Sequence, residues 1–422
     1  MEEKYKNPMW ISSPYNFMKD VNFNMEFPSN VEILDLTLDE DGEGMSGAHL
    51  SLESKIHIAR MLDEIGVNRI GVLGFPSALS KDENDRLKDE IEVVKEISKT
   101  VHNSKLWTLA TTKEDIDRAL ECKVTGVIVR KFVTDFNDIQ PELLTKKISD
   151  LTDLCEYAKK GGVRVGVMAQ DATRANPKEG VLRRMISSVH EKVGLDELCL
   201  TDSFGIATPF GMALLVKETL GWIDIPLQVH CHNHLGLGVA NACAAVAAGA
   251  QVVHTTVNGM GHFAGLTAME EFCVAIRIGF GIDTNIKYSN LTQLSKLVKK
   301  STGVDVAPHK AIVGDRAFAL SEDIAKVQEL IDREKVRKPE REYLPFAPEF
   351  VGQSVKFVMA QKVSRLAIEQ NLSENGLMAS EKQMEEIITI VKYMATASNN
   401  VINNELFISI AKIVGCSKIR SR

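Results

Sequence analysis

The sequence predicts an α/β fold, a (β/α)8 barrel followed by small, mostly helical C-terminal subdomains. Three observations predict it. Eight short apolar runs alternate with longer amphipathic stretches. The eight units fill roughly 250 residues, the count and length of such a barrel. Beyond Phe350 the apolar residues recur at helical spacing only. Strands separated by helices imply right-handed βαβ units and a parallel sheet. An open doubly wound sheet is the runner-up. No GxGxxG loop opens the first helix, which counts against it.

The strand-like runs follow in order: "VEILDLTL" from Val31, "RIGVLGF" from Arg69, "KLWTLA" from Lys105 and "VTGVIVR" from Val124. Then come "VRVGVMA" from Val163, "ELCLTD" from Glu197, "IPLQVHCH" from Ile225 and "QVVHTTV" from Gln251. Between the first two lies "SLESKIHIARMLDEIG", with apolar residues three or four apart and a serine placed to cap it. "NLTQLSKLVKKSTG" is helical and stops at glycine. "IAKVQELIDREKVRKPEREYLPFAPEF" is charged, ends in prolines and reads as a linker region. "KFVMAQKVSRLAIEQNL" and "SEKQMEEIITIVKYMATA" read as helices, with nothing but helices expected from Phe350. The expected organisation is an N-terminal extension over 1–30, a barrel over 31–285, a linker subdomain over 286–349 and a helical subdomain over 350–422.

A chain of 422 residues has room for one large domain and a smaller one. Its net charge of −7 gives no support for nucleic-acid binding. The most apolar segment, "VANACAAVAAGAQVV", carries Asn241 and Gln251 and reads as a packed helix leading into a strand, so no membrane span is expected. "MEEKYKNPMW" is charged and lacks an apolar signal core. Seven scattered cysteines, without a CxxC pair, point to reduced thiols and a cytoplasmic protein.

The stretch "LQVHCHNHLGLG" carries the chemistry. Residues two apart on a strand share a face, so His230 and His232 project together while Cys231 points away. They end the seventh strand, on the catalytic face of barrel enzymes. Two imidazoles there suit a divalent ion, provided a carboxylate joins them. Asp35, Asp39, Glu40 and Asp41 crowd the end of the first strand, where a cation would relieve their mutual repulsion. His234 falls where the chain is already turning and is expected at the rim.

With these segments placed, the chain resembles the DRE-TIM metallolyase superfamily: isopropylmalate synthase, homocitrate synthase, Re-type citrate synthase and hydroxymethylglutaryl-CoA lyase. The matching segments are "DLTLDEDGEGMSG", "GFPSALS", "DATRANP", "LTDSFGIATP", "HCHNHLGLGVANACAAVAAGA" and "NGMGHFAGLTAMEEF", in family order. The resemblance implies a divalent ion (Mg, Mn or Zn) on Asp41, His230 and His232. It implies an acyltransferase that joins an acyl-CoA, acetyl-CoA by expectation, to a 2-oxo acid through a Claisen-type condensation. Asp35, Thr37, Ser203 and Asn258 are the expected substrate-binding positions. The later segments resemble the small subdomains that follow the barrel in the synthases, which implies a homodimer.

Several positions depart from the family pattern. The family reads Asp-x-Thr-Leu-Arg-Asp-Gly after strand one; here Asp39-Glu40-Asp41 replaces Arg-Asp, one residue longer and without the arginine. Asp39 and Glu40 therefore stand beside Asp41 as alternative ligands. Gly71 occupies the position of a strand-two acid, His234 that of an aspartate, and "GHFAGL" replaces "GER-x-GN". Arg130, Lys131 and Arg174 are candidates for the missing positive charge, and His262 is the candidate acid or base. Two alternatives stay open: a lyase or aldolase of the same superfamily, and a metal-binding homologue without the activity.

Overall fold

The computed structural model describes residues 6–7, 9–22, 25–39, 50–73, 81–133, 141–178, 180–320, 346–357 and 359–418. Two compact units divide the chain, Met1–Val306 and Ala307–Arg422. The break falls inside the 286–349 segment.

In the first unit eight parallel strands close a barrel. They are β1 (Glu32–Asp35), β2 (Arg69–Gly71), β3 (Lys105–Ala110), β4 (Gly126–Phe132), β5 (Arg164–Gln170), β6 (Glu197–Asp202), β7 (Leu227–Cys231) and β8 (Val252–Thr255). Each lies inside or overlaps the run expected for it. Strand β8 closes on β1 with Thr255 opposite Asp35. The strands read as continuous apolar runs because both faces are covered. Leu34, Trp107, Leu109, Ile128, Met168 and Cys199 fill the interior. Ile33, Val127, Val129, Val165 and Val253, at the alternate positions, are also fully buried.

Helices α1 (Leu52–Ile65), α2 (Lys81–Thr100), α3 (Lys113–Glu121), α4 (Pro141–Lys160), α5 (Val181–Val193), α6 (Pro209–Leu220), α7 (Gly238–Ala247) and α8 (Met269–Phe280) alternate with the strands. Ser51 caps α1 as expected, its hydroxyl accepting from the Ser54 N–H at 3.2 Å. Helix α9 (Leu291–Thr302) ends at Gly303, whose φ of 71° is left-handed. None of the helices among the described residues is long and apolar enough to cross a membrane.

The second unit holds α10 (Arg365–Glu374), α11 (Glu381–Ser398) and α12 (Asn404–Ile413). Ala367, Ile368, Ile387, Val391, Phe407 and Ile410 form its core. Two features differ from the all-helical expectation. The helix expected from Lys356 begins only at Arg365, because Ser364 caps it there and Lys356–Phe357 pairs as a short parallel strand with Ala319–Leu320. Leu377–Met378 likewise pairs with Ser417–Lys418. Most of the expected charged linker lies outside the described residues.

Candidate active site

His230 and His232 share a face, as strand alternation requires. Their Nε2 atoms lie 3.3 Å apart, and both rings are buried at the C-terminal end of the barrel. The loop that follows β6 packs tightly against the backbone of His232. The His232 N–H donates to the Asp202 carbonyl, and a Cβ on Gly205 would meet the His232 carbonyl oxygen at 2.8 Å. With φ at 57°, Gly205 is fixed as glycine by both space and backbone.

Burial, then the neighbouring His232 and His254, push the His230 pKa well below its ordinary value. Arg130 and His262 add to that push, which sets both within electrostatic reach of His230. Arg130 is half-buried on β4, in step with the inward-facing Ile128. Lys131 takes the opposite face and pairs with Asp150 of α4 at 3.8 Å. Arg174 follows β5 in a short turn. Its Nε donates to Asp171 at 2.7 Å, and its guanidinium carbon lies 3.8 Å from the Phe204 ring centroid.

The other expected residues order the rim. Asp35 is fully buried and accepts from the Thr37 N–H at 3.0 Å and the Thr255 hydroxyl at 3.1 Å. Burial raises its pKa to about 6 despite those bonds. Thr37 accepts from the Val257 N–H at 2.8 Å. Ser203 accepts from the Asp171 N–H at 2.8 Å. The amide of Asn258 turns towards α9, donating to the Ser295 carbonyl at 3.2 Å and accepting from its hydroxyl at 2.5 Å. His262 and the exposed His234 flank Phe263, with ring centroids 5.9 and 4.9 Å from it. Glu40 and Asp41 lie outside the described residues. Asp39 is buried over β2: a Cβ on Gly71 would lie 3.5 Å from the Asp39 Cβ and 2.5 Å from a Leu36 methyl, so a side chain there would have to displace that methyl.

Two nitrogens each about 2.1 Å from one ion, at an angle of about 90–109°, lie about 3.0–3.4 Å apart, and the histidine pair sits within that range at 3.3 Å. The donor set therefore fits a shared cation through these two residues. Among the described residues no group of three His, Cys, Asp or Glu side chains is arranged around a metal.

Sequence reasoning missed the polar side chains beneath the pair. His230 Nδ1 meets His254 Nδ1 at 3.2 Å, and His254 Nε2 meets Gln228 Oε1 at 2.6 Å. Gln228 donates in turn to Glu197, which also accepts from Arg69 at 2.5 Å and Arg164 at 2.7 Å. One signal was available: Gln228 and His230 are two apart on β7 and so share its inner face. A cavity of about 320 Å³, lined by Glu32, Arg69, Lys105, Trp107, Arg164 and Glu197, lies at the strands' N-terminal ends, away from the histidines.

A family model described as HMGL-like matches residues 30–298. The chain belongs to the HMGL-like family. Homocitrate synthase AksA of Methanopyrus kandleri is 33% identical to this HMGL-like chain, over 94% of it and 95% of the relative. The 2-isopropylmalate synthase of Methanocaldococcus jannaschii is 34% identical over 93% of this chain and 73% of its own. The (R)-citramalate synthase CimA of that organism is 34% identical over 91% and 75%. Among solved structures, the HMG-CoA lyase of Bacillus subtilis superposes with a TM-score of 0.56 at 19% identity, covering 67% of this chain and 97% of its own. That likeness shows the barrel fold alone.

Proposed function

We propose that this chain is an acyltransferase that joins an acyl-CoA, acetyl-CoA in the simplest case, to a 2-oxo acid. The observation that carries the reading is the buried His230–His232 pair, with its Nε2 atoms converging at 3.3 Å on the mouth of the barrel, in a chain whose full-length relatives are named synthases.

His230 and His232, joined by Asp41 of the first loop, would hold a divalent ion of the Mg, Mn or Zn class. When bound, such an ion supplies Lewis-acid polarisation of the 2-oxo oxygen. His262 takes the α-proton of the acyl thioester. The resulting carbanion carbon bonds to the keto carbon as the carbonyl π pair moves onto oxygen, that oxygen takes the proton back from His262, and water then cleaves the thioester to give the carboxylate and the CoA thiol. Arg130, inward-facing and within electrostatic reach of His230, supplies the positive charge that Asp39 does not. Arg174, braced by Asp171 and Phe204, presents a cation to the substrate carboxylate. Asp35, Thr37 and Ser203 hold the rim in shape around them, and Asn258 anchors the last loop to α9.

The test is thiol release from acetyl-CoA in the presence of Mg, Mn or Zn, with pyruvate, 2-oxoisovalerate, oxaloacetate and 2-oxoglutarate in turn. One of the four should release thiol well above the acetyl-CoA blank. Release from none of them, with every metal supplied, would overturn the reading.

A further inference from the structure

The side chains running down the barrel axis fix where protons sit. Glu197 is fully buried and accepts from Arg69, Arg164 and Gln228. A carboxylate held this way takes hydrogen bonds and gives none, so the Gln228 amide nitrogen faces Glu197. Its oxygen then faces His254, and an amide oxygen only accepts. The contact at 2.6 Å therefore requires a proton on His254 Nε2. His254 is fully buried, and its two ring nitrogens meet the Gln228 amide and the His230 ring rather than a carboxylate, so a second proton would leave a buried charge without a counter-ion. Its Nδ1 is then bare and must accept. The partner at 3.2 Å is His230 Nδ1, which must be the donor. A neutral His230 with its proton on Nδ1 has a bare Nε2, the atom turned to His232.

We propose that Gln228 and His254 are positioning residues that lock His230 in its Nδ1–H tautomer, so that its Nε2 lone pair already faces the mouth before any ligand arrives. The assignment rests on the metal reading above only for what that lone pair binds. In the metal-free chain the remaining proton of the 3.3 Å contact sits on His232 Nε2. His232 is thus the adjustable member of the pair, and must move its proton to Nδ1 to ligate, whereas His230 needs no change.

Imidazole ¹⁵N spectra of the full-length, chelator-treated protein test this directly. His230→Asn and His254→Asn assign the resonances. His254 should show the Nε2–H pattern and His230 the Nδ1–H pattern; the reverse at either ring overturns the proposal. Added Mn²⁺ should leave the tautomer of His230 unchanged, as read with a diamagnetic Zn²⁺ control, and convert that of His232. In Gln228→Met both tautomers should appear at His254, and the Mn²⁺ dissociation constant should rise about 10–100-fold, as for other partners of metal-ligating histidines. Wild-type affinity together with an unchanged spectrum in that variant overturns the proposal. A wild type with the expected tautomers and no affinity for Mn²⁺ or Zn²⁺ supports the lock and sinks the metal reading instead.

Discussion

Arg69 and Glu197 meet at 2.5 Å inside the barrel, although 128 residues separate them in sequence. The Glu197 side chain is fully buried and that of Arg69 is 9% exposed. Removing one partner of such a pair leaves a buried charge uncompensated, which costs about 3–5 kcal/mol. Arg69→Met should therefore lower stability by about that much in urea unfolding of the full chain. A loss below about 1 kcal/mol would show that Arg164 alone satisfies Glu197.

The histidine pair predicts metal content. His232→Ala should leave the purified protein with little of the divalent ion carried by the wild type, because one nitrogen of the converging pair is gone. Elemental analysis of both proteins decides it, and equal content would remove His232 from the ligand set.

The missing strand-one arginine predicts a division between two neighbours. Arg130 faces the barrel interior, while Lys131 pairs with Asp150 on the outside. Removing one preorganised charge-stabilising donor costs about 10²–10³-fold in kcat, so Arg130→Ala should lose that much. Lys131→Ala should stay near wild-type. Equal effects in steady-state assays would mean that the positive charge comes from elsewhere, with Arg174→Ala the next variant to assay.

Asp35 predicts a pH dependence of stability. Burial raises its pKa from 3.8 to about 6 in the folded chain. A folded-state pKa above the unfolded one means the folded protein holds the proton more tightly. The stability this contributes is full below about 3.8 and is lost as pH rises through about 6. The shift is worth about 3 kcal/mol. Asp35→Asn cannot ionise, so its stability relative to wild type should improve by about that amount between pH 4 and pH 7. A constant difference across this window, measured by urea unfolding, would contradict the prediction.

The helical unit after Phe350 is expected to pack against a second copy. Tyr393 and Ile413, exposed by 74% and 82%, are apolar surface available for such a contact. Light scattering at micromolar concentration should give a dimer mass, and a monomer mass would count against it.

Much of this arrangement was legible in the chain. Strand runs such as "VTGVIVR" stand out because both faces of a barrel strand are apolar, and the two-residue period alone brings His230 and His232 together. The same period places Arg130 and Lys131 on opposite faces of β4. What stayed hidden was depth along the axis. His254, Gln228, Glu197 and Arg69 sit on four different strands, and only the stagger of the closed barrel makes them neighbours. Nor does periodicity reveal that Asn258 spends its amide on Ser295 of a later helix.

The seam of the barrel has a consequence for synthesis. Asp35 bonds to Thr255 and Thr37 to Val257, each across 220 residues of chain. Strand β1 therefore has one unpaired edge from the moment it leaves the ribosome until β8 follows. At about 5–20 residues per second that wait lasts about 11–44 s. Unpaired edges invite pairing with other chains. A ribosome stalled before Val252 would thus display an open, sticky sheet, and fragments cut there should aggregate where the full chain does not.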